Sequence, residues 1–123
     1  MKLKVTNYKL GFVWFVITTI LLCLPGHQFS SYDFFDIAHL DKLIHIFIFF
    51  LLSALFILPT EYSNSKYLII VLLSSCYGIL MEYVQKYFVP NRSFDIWDIV
   101  ADIIGSFLAY ILITKLLQKK KPL

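Results

Sequence analysis

Three short stretches of this chain set ionisable side chains at helical spacing inside otherwise apolar sequence. The first holds Asp41, Lys42 and His45, where the four-residue step puts Asp41 and His45 on one helical face and lets a carboxylate orient or charge an imidazole. Asp41 could equally cap a helix that begins there. Glu82 and Gln85 follow, three apart, with Gly78 one turn before Glu82 on the same face. A simpler role for Glu82 is an ion pair with Lys86. Last come Asp95, Asp98 and Asp102 at spacings of three and four, which stack three carboxylates along a face continued by Gly105 and Ala109.

An imidazole among carboxylates suits general acid–base work or a divalent metal. Arg92 adds a different capacity, since a guanidinium can clamp phosphate or carboxylate bidentately. It lies in Val89-Pro90-Asn91-Arg92-Ser93, which reads as a tight turn. An ion pair from Arg92 to Asp95 or Asp98 is the simpler alternative. Acids in a first helical turn are accounted for by the helix dipole, which covers Asp95 and Asp98 but not Asp102, a turn deeper. The Gly105–Ala109 step is a small-residue contact between helices, so Gly78, Gly105 and Ala109 read as packing. The Asn91-Arg92-Ser93 sequon is accidental so near a membrane. No recognised metal-ligand spacing is present, so no metal or other cofactor is expected. A divalent metal enters only under an enzymatic reading.

The elements that must position these groups are apolar runs at Leu10–Leu24, Leu43–Leu58, Tyr67–Met81 and Ile99–Ile113. Each is a little shorter than the roughly 20 residues that span hydrocarbon, so flanking residues complete it. The chain has 123 residues, 59% of them hydrophobic, with a mean hydropathy of +0.76. A soluble helical protein would need charged helix faces, and these runs are apolar all round. The expected fold is therefore all-α: one domain, 1–123, forming an integral membrane bundle of four transmembrane helices at about 8–24, 41–58, 66–87 and 95–117. No small-x-small cleavage site follows Cys23, and Leu22 spoils a lipobox, so the first run reads as a retained helix. Cys23 and Cys76 lie within apolar sequence and act as small hydrophobes.

Charge gives a topology. The N-terminus, the loop from Pro59 to Lys66 and the C-terminal tail together hold Lys2, Lys4, Lys9, Lys66, Lys115, Lys119, Lys120 and Lys121, eight of the eleven basic residues. By the positive-inside rule both termini are cytoplasmic. The opposite side receives Lys42, Lys86 and Arg92 with Asp33, Asp36, Asp41, Glu82, Asp95, Asp98 and Asp102, a formal charge of three minus seven, or −4. Lys119 to Lys121 meet anionic lipid at about 1 kcal/mol each, so no nucleic-acid partner is needed to explain them.

Depth then separates structural from unusual acids. At 1.5 Å per residue, His45 lies about 20 Å from Pro59, Asp102 about 20 Å from Lys115 and Glu82 about 24 Å from Lys66. Three ionisable groups from three helices thus share the outer third of a roughly 30 Å core. A carboxylate at a helix centre costs about 2.5–3.5 kcal/mol on insertion scales, and the surrounding Ile, Leu, Phe and Val residues each return about 0.3–0.6. The fourth helix inserts despite Asp102, with that side chain turned toward protein or water.

Asp41-Lys42-x-x-His45, Gly78-x-x-x-Glu82-x-x-Gln85 and Arg92-Ser93-Phe94-Asp95-x-x-Asp98-x-x-x-Asp102-x-x-Gly105, taken in order, resemble the pattern of the VanZ-like family. Asp102 departs from it, because that pattern more often carries asparagine there. The resemblance implies a multi-pass protein of the bacterial cytoplasmic membrane. It also implies a link to glycopeptide (teicoplanin) resistance, without a settled reaction.

Together these residues support an outer-leaflet polar pocket that binds a cell-envelope or lipid-linked ligand, with membrane lipids, an envelope precursor or a glycopeptide as partners. Arg92 would hold an anion, and Asp41, Lys42, His45, Glu82, Gln85, Asp95, Asp98 and Asp102 would shape the pocket. Two rivals stand beside this reading. One is an enzyme acting on a lipid-linked phosphate or envelope precursor through His45 and the carboxylates. The other is a small transporter or proton relay through Asp102 and Glu82.

Overall fold

The computed structural model of the chain describes residues 7–24 and 37–119. Lys2, Lys4, Asp33, Asp36, Lys120 and Lys121, which entered the topology argument, lie outside the described residues. Four helices follow in order: α1 (Lys9–Leu22), α2 (Ile37–Ile57), α3 (Asn64–Phe88) and α4 (Ile96–Lys119). Among the described residues there is no strand.

Local chemistry sets the ends. Ser63 sits in extended backbone and its hydroxyl accepts the N–H of Lys66, so α3 starts two residues before the expected position. At the far end Pro90 follows the cap, and Asn91 takes φ 61°, a left-handed conformation that asparagine tolerates better than most residues. That turn reverses the chain into α4. Asp95 stands just before α4, and its Oδ1 accepts the N–H of Trp97 at 2.9 Å, which makes it the cap rather than a first-turn residue. Asp41 corrects in the other direction. Because α2 begins at Ile37, Asp41 lies inside the helix and caps nothing.

Helices α2 and α4 run parallel and form the most extensive pair, with α3 antiparallel against both. Gly105 permits the closeness of α2 and α4, since a Cβ there would collide with the carbonyl oxygen of Ile46. Below that crossing Ala109 is fully buried with Ala54, Ile57, Tyr67, Val71 and Ile113. A second cluster of Leu22, Ile48, Phe49, Leu52 and Met81 seats α1 on α2 and α3. Side chains crossing between helices fix α1 further: Trp14 Nε1 donates to the Ile48 carbonyl at 3.0 Å, the Thr19 and Tyr77 hydroxyls are 2.5 Å apart, and the Tyr8 and Thr60 hydroxyls 2.8 Å apart.

Outward faces carry large apolar side chains throughout, among them Leu43, Phe47, Leu72, Leu73, Leu80 and Ile111, all exposed. In water so much contiguous apolar surface would drive association, whereas in a bilayer it meets acyl chains. Helices α2, α3 and α4 are long and apolar enough to cross a membrane. Helix α1 is shorter: its 14 residues extend about 21 Å at 1.5 Å each, under the roughly 30 Å of hydrocarbon.

Candidate functional site

The polar residues of α2, α3 and α4 gather at the end of the bundle where α2 and α4 begin and α3 finishes. Parallel α2 and α4 bring His45 and Asp102 to the same level. His45 Nδ1 lies 2.8 Å from Asp102 Oδ1, and the two residues are 2% and 1% exposed. Gly78 on α3 makes room for that carboxylate, because a Cβ there would stand 2.7 Å from Asp102 Oδ2. The glycine reads as packing in the sequence; in the structure it packs on the acid itself.

The other imidazole nitrogen faces the carboxylates of Asp98 and Asp41. His45 Nε2 is 3.5 Å from Asp98 Oδ2 and 3.9 Å from Asp41 Oδ1. Both carboxylates turn their second oxygens to Lys42, whose ammonium bonds Asp98 Oδ1 and Asp95 Oδ2, the latter at 2.7 Å, and lies 3.5 Å from Asp41 Oδ2. Glu82, 1% exposed, accepts the Asp95 backbone N–H on Oε2 at 3.0 Å. The Asp98 carboxyl is within hydrogen-bonding reach of both the Glu82 and Asp41 carboxyls. Exposure grades along this path. Asp41, Lys42 and Asp95 are partly open to the outside, while Asp98, His45, Glu82 and Asp102 are buried behind them.

Charge is lopsided here. Asp41, Glu82, Asp95, Asp98 and Asp102 supply five carboxyl groups against the single fixed cation of Lys42 and the titratable His45. At the rim, the Lys42 ammonium beside Asp95 holds that carboxyl below the usual carboxylate range, helped by the Trp97 N–H. Carboxyl groups as close as Asp41, Asp98 and Glu82 require a proton or cation between them.

Two residues grouped with the cluster in the sequence stand elsewhere. Gln85 is 2% exposed and donates from Nε2 to the Leu22 carbonyl at 2.8 Å, tying α3 to the last turn of α1. Arg92 donates from Nε to the Leu24 carbonyl at 3.1 Å, and among the described residues it pairs with neither Asp95 nor Asp98. Lys86 lies over the rings of Tyr87 and Phe94, at 5.1 and 5.9 Å, instead of pairing with Glu82. A cavity of about 220 Å³ opens between α1, α2 and α3, lined by Phe12, Phe15, Phe56, Leu73 and Tyr77 among others. It is apolar and holds none of the clustered acids.

A family model described as VanZ/LLP1 matches residues 4–118, nearly the whole chain. The chain belongs to the VanZ/LLP1 family. Three membrane-length helices then make this VanZ/LLP1 member a multi-pass membrane protein. It is similar to the uncharacterized protein C11E3.10 of Schizosaccharomyces pombe, with 38% identity over 74 residues, 58% of this chain and 45% of that protein. The chain thus spans under half the length of that curated relative. No solved structure matches.

Proposed function

We propose that this VanZ/LLP1 protein binds the headgroup of a lipid-linked cell-envelope substrate at the partly exposed rim of Asp41, Lys42 and Asp95 and hydrolyses its phosphate linkage. The observation that carries the reading is His45. It is a buried imidazole with one nitrogen held by Asp102 and the other turned toward the partly open rim of Asp41, Lys42 and Asp95. A positioned base needs that division of labour. Nε2 takes a proton from water, the water oxygen attacks phosphorus, and the phosphorus–oxygen bond to the leaving group breaks. Asp102 accepts from Nδ1–H throughout and stabilises the imidazolium formed.

Hydrolysis is favoured over simple anion capture because the residues that converge are acids and an imidazole, and Arg92, which donates from Nε to the Leu24 carbonyl, makes no ion pair with Asp95 or Asp98 among the described residues. Family resemblance supports a bacterial cytoplasmic membrane and a connection to glycopeptide resistance. The lysine distribution supports cytoplasmic termini and, with them, an outer-face position for the cluster.

The test uses the full chain in lipid nanodiscs with a polyprenyl diphosphate, reading phosphate release. Wild-type protein should turn over, and His45→Gln should lose about 10²–10⁴-fold, the usual contribution of a positioned acid–base group. Equal release by both proteins, or no release above empty nanodiscs, contradicts hydrolysis.

A further inference from the structure

The cluster's geometry leads to a further step that rests on the hydrolysis reading but makes His45 a ligand in place of the base. A coordinated Nε2 has no lone pair for water's proton, which would then pass to a neighbouring carboxyl such as Glu82. A phosphate anion does not approach five carboxyl groups and one lysine without added positive charge. We infer that Asp41, His45 and Asp98 form a binding site for one divalent cation of the first transition row, Mn²⁺ or Zn²⁺.

Three observations converge on it. One donor atom from each of Asp41, His45 and Asp98 lies within 4.8 Å of the others. Two ligands each about 2.1 Å from a tetrahedral ion stand about 3.4 Å apart. The Nε2 separations of 3.5 Å to Asp98 Oδ2 and 3.9 Å to Asp41 Oδ1 are close to that spacing, so small side-chain shifts would close the site.

The imidazole is aimed. His45 is 2% exposed, spends Nδ1 on Asp102, and directs at those two oxygens an Nε2 that has no hydrogen bond among the described residues. A carboxylate fixing the far nitrogen of a histidine is the usual support of a metal-bound imidazole, because it sets the tautomer that leaves the near nitrogen free to coordinate. Asp102 fills that role from α4, with Gly78 keeping its place open.

Lys42 does not occupy the position. Its ammonium takes Asp98 Oδ1, Asp95 Oδ2 and Asp41 Oδ2, the oxygens on the rim side, and leaves Asp98 Oδ2 and Asp41 Oδ1 facing the imidazole. Each of the two carboxylates thus offers one oxygen to the lysine and one to the ion. Mixed nitrogen and oxygen donors suit Mn²⁺ and Zn²⁺ better than Ca²⁺, which takes six to eight oxygens. Three protein ligands leave coordination positions for water or a phosphate oxygen, the mark of a working site rather than a structural one. The sequence hides this set because Asp41 and His45 form a spaced pair on α2 while Asp98 arrives from another helix.

The experiment uses the purified full chain in nanodiscs with Mn²⁺ or Zn²⁺ alone, without substrate. Equilibrium binding should saturate at one ion per chain, and His45→Ala and Asp98→Asn should each weaken it at least tenfold while Lys66→Gln leaves it unchanged. Pulsed electron paramagnetic resonance of Mn²⁺ on the wild-type protein should show coupling to one histidine nitrogen, a readout that needs no variant to fold. Absence of saturable binding, absence of that coupling, or affinity unchanged in both variants overturns the site. Stoichiometric metal without phosphate release would retire the hydrolysis and leave the site standing. Phosphate release by metal-free protein would do the reverse.

Discussion

His45 and Asp102 face one another across the α2–α4 interface, Nδ1 to Oδ1 at 2.8 Å, with 2% and 1% of their surfaces exposed. A buried imidazole and a buried carboxylate each cost several kcal/mol to leave unpaired. In a bundle with lipid on its outer faces they can be satisfied only by one another or by neighbours in the same cluster.

Asparagine at 102 keeps a carbonyl oxygen able to accept Nδ1–H, and the resemblance places asparagine at this position more often than aspartate. Asp102→Asn is therefore expected to fold and to lose about 10–100-fold in phosphate release, because the amide keeps an acceptor but not the charge. Asp102→Leu, of similar volume but without an acceptor, should lower release by 10²-fold or more, because the imidazole loses its orientation. Release assays on both variants, with thermal unfolding as the fold control, check the pair.

Gly78 and Gly105 are close-approach positions with different neighbours. Gly78→Ala drives a methyl into the Asp102 side chain, and Gly105→Ala drives one into the Ile46 backbone. Each should cost about 1–3 kcal/mol, the usual penalty for overpacking. The backbone cannot rotate aside as a carboxylate can, so Gly105→Ala should be the worse for stability and Gly78→Ala the worse for chemistry. Thermal unfolding and phosphate release separate the two effects.

Replacing Lys42 by methionine keeps the length and removes the charge that three carboxylates share. Removing one partner of a fully buried ion pair costs about 3–5 kcal/mol, and with Lys42 24% exposed about 1–3 kcal/mol is expected. Added Mn²⁺ should recover part of the loss if the cluster takes a cation. Unfolding of Lys42→Met with and without the ion reads both.

Asp95 gives the acid limb of stability. Its folded pKa lies below the unfolded value of about 3.9, so its contribution is fully present above that value and fades as pH falls through the depressed folded one. Because its side chain is 38% exposed, the ion pair with Lys42 is worth about 0.2–1 kcal/mol. Asp95→Asn should flatten unfolding temperature against pH on that limb and lower it slightly near neutrality through the weakened ion pair.

Much of this arrangement was legible in the sequence, for a physical reason. A helix converts residue count into depth, so counting from Pro59, Lys66 and Lys115 brings His45, Glu82 and Asp102 toward one level; His45 and Asp102 meet, level with Gly78, while Glu82 stands a turn beyond, against Asp98 and the Asp95 backbone. Helical spacing also turns Asp98, Asp102 and Gly105 to one inward face. Partners across helices are a different matter, because no spacing within α3 announces that Gln85 reaches Leu22, and none in the turn announces that Arg92 reaches Leu24. The same gap concealed Lys42, whose acids come from α4, at Asp98, and from the residue that caps it, Asp95. Trp14, Thr19 and Tyr77 likewise read as ordinary apolar-run residues until α1 is laid against its neighbours. Asp41 was ambiguous between cap and site until α2 proved to start a turn earlier.

Solid-state NMR of the full chain in bilayers, with nitrogen-15 in the histidine rings and carbon-13 in the aspartate carboxyls, reads the His45–Asp102 contact directly. Dipolar coupling between His45 Nδ1 and the Asp102 carboxyl carbon is expected, and is abolished in Asp102→Leu. Coupling through Nε2 instead, or none at all, would contradict it.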